Sequence, residues 1–113
     1  MKDCGIRYLA NESYAEKVKP EYKEILKLDK MLDVAGIYHE LVRNWDGWEI
    51  IYYGHGEEKV SDAIEHHGSY GEDADLLEIM GLTDDGYDVQ GYLSAKDVFD
   101  RWSKHWEETA GEC

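Results

Sequence analysis

Positive charge is scarce in this chain, proline almost absent, and long apolar runs missing altogether. Its 12 lysines and arginines face 26 aspartates and glutamates, for a formal charge of −14. Contact with a phosphate backbone needs cations that displace counterions, so direct nucleic-acid binding is not expected. No apolar stretch approaches the roughly 18 residues of a membrane span. The opening MKDCGIRYLANESYAEK is broken by charge and carries no signal-peptide core, so a soluble cytoplasmic protein is expected. The two cysteines, Cys4 and Cys113, sit at the chain ends, where they read as incidental thiols, and no CxxC metal spacing occurs. A single proline and the lack of low-complexity sequence argue against disorder despite the charge.

The 113 residues suit one domain, with residues 1–19 as an N-terminal extension and 20–108 as the core. Four tryptophans and nine tyrosines supply large burial per residue. The acids are unevenly placed. Residues 57–100 hold 13 of them against Lys59 and Lys96, whereas residues 1–56 carry a net charge of only −2. Such a segment is either a solvated face or a surface for a basic partner.

Local patterns give an α+β class: a small antiparallel sheet, made of a hairpin and a third strand, packed with about three α-helices. In PEYKEILKLDKMLDVAG, Pro20 fits the first helical turn, Tyr22, Ile25, Leu28 and Leu32 form an apolar stripe, and Gly36 stops the helix. Residues 6–19 read as a strand and turn or as a preceding helix, with a lean to helix. YHELVRNWDGWEIIYYG is a hairpin. A three-residue closure would set Asn44 opposite Trp48, and a tighter Asp46–Gly47 turn would pair Trp45 with Trp48. KVSDAIEHHGSYG reads as a third strand or a short helix, with the strand preferred, and EDADLLEIMG as a short helix ended by Gly81. The last helix should run from Ala95 to Glu108, with Ser94 and Asp97 as a capping box and Leu93 and Val98 as a staple. A helix leading into an antiparallel sheet resembles the opening of the double-stranded-RNA-binding domain in topology alone. That fold reads RNA with basic residues near its last helix, where this chain has Asp97, Asp100, Glu107 and Glu108.

Three site chemistries can be weighed on these letters. GYDVQGYLSAKD aligns with a calcium loop if Gly91 takes position 6, which places Asp88, Gln90, Ser94 and Asp97 at positions 3, 5, 9 and 12. Position 1 is then Gly86, Gln90 carries no charge and Asp97 is shorter than the usual glutamate, so the capped-helix reading is preferred. Asp62, Glu65, His66, His67 and Glu72, with His55 nearby, could supply metal ligands or a general base, but adjacent histidines on a strand point to opposite faces. Cys4 has no partner that would make it a nucleophile, and neither a phosphate loop nor GxSxG occurs. No enzyme activity, metal or cofactor is therefore expected. The aromatics Tyr38, Trp45, Trp48, Tyr52 and Tyr53 exceed what one small sheet face usually buries, and such residues commonly anchor interfaces.

LDKMLDVAGI, DAIEHHGSYG, LLEIMGL and GYLSAKDVFDRWSKHW resemble a group of small acidic proteins encoded by phages and prophages of Firmicutes, over about residues 21–108. The resemblance implies no active site. It implies an accessory role in the host bacterial cytoplasm, and by analogy of size and charge an inhibitor of host defence of the anti-CRISPR kind. The resulting expectation is a non-enzymatic nucleic-acid mimic that binds a basic host protein such as a CRISPR effector nuclease, acting as monomer or homodimer. Asp73, Asp75, Glu78, Asp84, Asp85 and Asp88 would provide contact charge, and Trp45, Trp48 and Tyr53 aromatic surface. The alternatives are a phage structural or regulatory adaptor using the hairpin, and a metal-binding module.

Overall fold

The computed structural model describes residues 22–84 and 88–112. Expectations for residues 1–19, Pro20, Asp85, Gly86 and Cys113 lie outside them. The first described element is helix α1 (Glu24–Ala35), which buries Ile25, Leu28 and Leu32 and ends on Gly36 at φ 74, as the apolar stripe and the glycine predict. Its beginning has no capping side chain of its own. The Asp75 carboxylate, 51 residues away from Glu24, accepts from the Lys23 and Glu24 amides at 2.9 and 3.1 Å, placing negative charge at the positive end of the helix.

Strands β1 (His39–Asn44) and β2 (Gly47–Tyr52) form the hairpin. Its register is neither of the two expected. Asn44 pairs with Gly47 and Arg43 with Trp48, so Trp45 and Asp46 alone make the turn. Trp45 adopts φ 60, a conformation more usual for glycine or asparagine. Gly47 is needed elsewhere: a Cβ there would fall 1.9 Å from the Glu65 carbonyl oxygen, so its absence lets β3 approach. Asp46 accepts from the His67 amide at 2.9 Å and ties the turn to the end of β3 (Ser61–Glu65), the expected third strand.

EDADLLEIMG is not a helix. Residues Glu72–Ala74 make a single 3-10 turn, and Leu77–Met80 form strand β4, with Leu77 and Ile79 buried and Glu78 and Met80 facing the other way. Acids at its start and a glycine at its end imitate helix boundaries, but the apolar residues alternate with period two. The intended calcium loop contains a fifth strand, β5 (Val89–Leu93), and so lacks the helix–loop–helix frame that a calcium hand requires. All five strands pair antiparallel in sequence order, β1-β2-β3-β4-β5, with an irregularity in β4 between Leu77 and Ile79. The class is α+β. Among the described residues there are two α-helices rather than about three, and the sheet is larger than a hairpin plus one strand.

Helix α2 (Ala95–Glu108) matches its expected span. Ser94 Oγ accepts from the Asp97 amide and Asp97 Oδ2 from the Ser94 amide, both at 3.1 Å, which is a reciprocal capping box. Ser94→Ala should lower stability by about 1 kcal/mol, read as a shift in the urea midpoint at constant slope.

The core lies between one sheet face and both helices. Ile25, Leu28 and Leu32 of α1 and Val98 and Trp102 of α2 pack on Leu41, Trp48, Ile50, Tyr52, Ala63, Leu77 and Ile79. Polar ties fix the layers: Glu65 Oε1 accepts from the Ile25 amide at 3.2 Å, and Glu24 Oε2 from the Ala95 amide at 2.7 Å. Acids that composition alone would assign to the surface are therefore holding helix ends. No helix among the described residues is long and apolar enough to cross a membrane.

Candidate interaction face

Strand alternation sends one set of side chains into the core and the other to the opposite face. That second face carries Glu40 and Val42 of β1, Glu49 and Ile51 of β2, Asp62 and Ile64 of β3, and Glu78 and Met80 of β4. Register makes it a checkerboard. Glu40 pairs with Ile51, Val42 with Glu49, Ile51 with Asp62, and Ile64 with Glu78. Met80 is exposed, Asp62 is buried, and the other side chains of this face lie between those extremes. Lys59 reaches Asp62 at 3.0 Å. Burial foremost, then hydrogen bonding and repulsion from Asp62, push the Glu49 carboxyl up to about 7.

One end of this face is aromatic. The two oxygens of the Glu40 carboxylate accept from Tyr53 Oη at 3.0 Å and Tyr38 Oη at 3.2 Å, and the two tyrosine rings lie 5.9 Å apart. Burial, with the Glu40 carboxylate second, raises the Tyr53 hydroxyl above its ordinary value. Tyr38, Glu40, Tyr53 and Glu57 line a shallow concavity of about 300 Å³. Beyond Tyr53 a second hollow of about 450 Å³ is edged by Glu57, Glu58, His55 and His105. Two π faces beside a fixed carboxylate and a further acid on the rim suit a lysine or arginine head, which such surroundings attract through charge and ring quadrupole together.

The residues expected to contact a partner are scattered over the fold. Asp75 caps α1. Asp73 Oδ1 accepts from Tyr92 Oη at 3.2 Å, and Glu78 Oε1 from the Tyr70 amide at 2.8 Å. Asp84 takes up Gln90 and the Arg101 guanidinium, which hold its carboxyl below the usual range. Asp88 is exposed, and Asp85 lies outside the described residues. Trp48 is 2% exposed and belongs to the core, whereas Trp45, at 76%, stands out from the turn. Tyr53 is the expected residue that falls directly at the acidic hollow. Glu40, Glu49 and Glu57 were not singled out. The acid–aliphatic alternation in ELV and WEII would have indicated Glu40 and Glu49.

The metal and general-base readings of 62–72 do not assemble. Asp62 and Glu65 lie on opposite faces of β3, and His66 Nδ1 pairs with the His67 carbonyl while its ring meets Trp45 edge-on. Among the described residues, the His/Cys/Asp/Glu group close enough to share an ion contains none of them. No protein-family model, curated protein or solved structure matches this chain.

Proposed function

We propose that this is a non-enzymatic binding protein that uses the acidic second face of its sheet, at its Tyr38–Glu40–Tyr53 end, to hold a basic protein surface, of the kind that otherwise carries nucleic acid. The observation that carries the reading is the Tyr38–Glu40–Tyr53–Glu57 hollow, a preorganised seat for a cationic side chain at the end of a carboxylate checkerboard. Glu40 and Glu57 at the hollow offer a partner negative charge, while exposed Met80 on the same face adds apolar contact. Inhibition of a basic nuclease follows as the biological consequence, in keeping with the phage-protein resemblance.

Charge reversal at Asp75 would be a poor probe, because that carboxylate holds the start of α1. Glu40→Lys combined with Glu57→Lys addresses the hollow instead. It should weaken binding to a CRISPR effector nuclease at least about tenfold, and the wild-type complex should weaken steeply as salt rises. Calorimetry with the purified nuclease measures both. Absence of a complex at low salt would remove that target, and unchanged affinity of the double variant would remove this face. Exposed Trp45 favours a second reading, an adaptor that engages through its hairpin tip. In that case Trp45→Ala abolishes binding and the charge reversals leave it intact.

A further inference from the structure

Away from the acidic face, Asp29, Asp33 and His39 converge where α1 passes into β1. Asp29 and Asp33 stand four residues apart on α1, so their side chains share one face of the helix. Gly36 turns the chain back at φ 74, and His39 opens β1 with its ring against them. His39 Nε2 lies 2.7 Å from Asp29 Oδ1 and 3.5 Å from Asp33 Oδ1. Both Asp29 and His39 are only 1% exposed, whereas the Asp33 side chain is 35% exposed and gives the cluster an opening to solvent.

The ring's hydrogen bonds restrict what can lie between these groups. His39 Nδ1 is 2.8 Å from the Ile37 carbonyl oxygen, which can only accept, so Nδ1 carries a proton. Nε2 faces carboxylate oxygens, which also accept when ionised. A bare lone pair directed at a carboxylate is repulsive, and a proton or a metal ion between them relieves that repulsion. A second, independent observation points to the ion. Asp29 Oδ2 is buried and meets no hydrogen-bond partner, which leaves half of a buried carboxylate without compensation if a proton on Nε2 is all the site holds.

We propose that Asp29, Asp33 and His39 form a binding site for a divalent transition-metal ion of the zinc class, with water from the Asp33 side completing its shell. One imidazole and two carboxylates are an N/O donor set typical of such ions, and the three ligand atoms already lie within 4.8 Å of one another. Metal–ligand bonds of about 2.0–2.2 Å at tetrahedral angles place ligand atoms roughly 3.3–3.6 Å apart. The 3.5 Å between Nε2 and Asp33 Oδ1 fits that spacing. The 2.7 Å between Nε2 and Asp29 Oδ1 must open slightly, or Asp29 must present its unpartnered Oδ2. The Ile37 carbonyl plays the orienting part that a metal-bound imidazole needs, fixing the proton on Nδ1 and leaving Nε2 to bind. The ion pins helix to strand and takes no part in the reading of the acidic face, so either can fail alone.

The test is calorimetric titration of zinc chloride into the full chain, stripped with chelator and freed of any affinity tag. One equivalent should bind, with a rise in melting temperature. Asp33→Asn keeps the buried Asp29–His39 pair and so should fold, yet it should weaken zinc binding at least about tenfold, since it loses a charged ligand. His66→Ala with His67→Ala is the control for adventitious sites and should bind zinc like the wild type. No stoichiometric binding to the wild type overturns the proposal, as does equal binding by Asp33→Asn or a loss confined to the His66/His67 variant.

Discussion

Replacing Trp102 with alanine should lower the stability of this protein by about 3–5 kcal/mol. Its side chain and backbone join α2 to both β2 and β3. Trp102 is fully buried on α2 and stacks on Tyr52 of β2, with ring centroids 5.1 Å apart and planes 10° from parallel. Its indole N–H donates to Ser61 Oγ at 3.1 Å, on β3, and its backbone carbonyl accepts from Tyr52 Oη at 3.3 Å. Truncation removes the stacking, opens a cavity between helix and sheet and leaves the Tyr52 ring without its partner. Trp102→Phe should cost less, because a ring still fills the space and Ser61 Oγ keeps the Met80 and Gly81 carbonyls at 2.8 and 2.7 Å. Urea unfolding followed by far-ultraviolet dichroism separates the variants. A loss below about 1 kcal/mol for Trp102→Ala, with the slope unchanged, would contradict this account of the core.

Stability should also fall as pH rises from mildly acid to mildly alkaline, and Glu65→Gln should remove much of that dependence. Glu65 is completely buried on the helix-facing side of β3. Burial, then hydrogen bonding and repulsion from Asp75, push its carboxyl from 4.5 up to about 9, although the Ile25 amide pulls the other way. The sign follows from proton counting. Between those values the folded protein keeps a proton that the unfolded chain has released, so stability is full below the unfolded value and declines as pH climbs through the folded one. One such proton changes stability by as much as about 1.4 kcal/mol per pH unit. Glutamine reproduces the protonated acid. Its carbonyl accepts from Ile25 and its amide faces Asp75, with no charge to gain. Glu49, raised to about 7, gives the wild type a further contribution of the same sign that persists in the variant. Unfolding of both proteins at about pH 5.5 and about pH 8.5 is decisive, since parallel losses would clear Glu65 of any part.

What could be read from the chain was whatever is encoded locally. Helix α2 appears with its boundaries because the Ser94–Asp97 capping box and the stripe ending in Trp106 need nothing from elsewhere. Helix α1 is legible from its apolar stripe, but its true cap is Asp75, which no local rule connects to Lys23. β4 was hidden because Glu72–Asp75 looks like an acidic helix start. Those acids serve other ends: Asp75 caps α1, and Glu72 accepts from Tyr22 Oη. In β5, VQGYL has no clean alternation, and Gly91 is there because a Cβ would fall 2.3 Å from the Tyr70 Cβ. The hairpin register slipped for a similar reason, since Gly47 answers a neighbouring strand rather than its own turn. The acidic face is obscured when acids are counted along the sequence, because the sheet sorts them by parity. For the Asp29 cluster a clue was present. Asp29 occupies the i+4 place in the stripe Ile25, Leu28, Leu32, where an acid is out of keeping with burial.

The meander order of the strands bears on how the chain reaches this state. Every strand pairs with its neighbour in sequence, so the sheet can grow by a succession of short closures, each of small entropic cost. The helices are different. Glu24 meets the Ala95 amide across 71 residues, and Asp75 meets the start of α1 across about 50. Those long closures become favourable only when the intervening strands have already drawn the ends together. The helix layer thus closes on contacts distant in sequence, with the carboxylates of Glu24 and Asp75 and the protonated carboxyl of Glu65 as its latches.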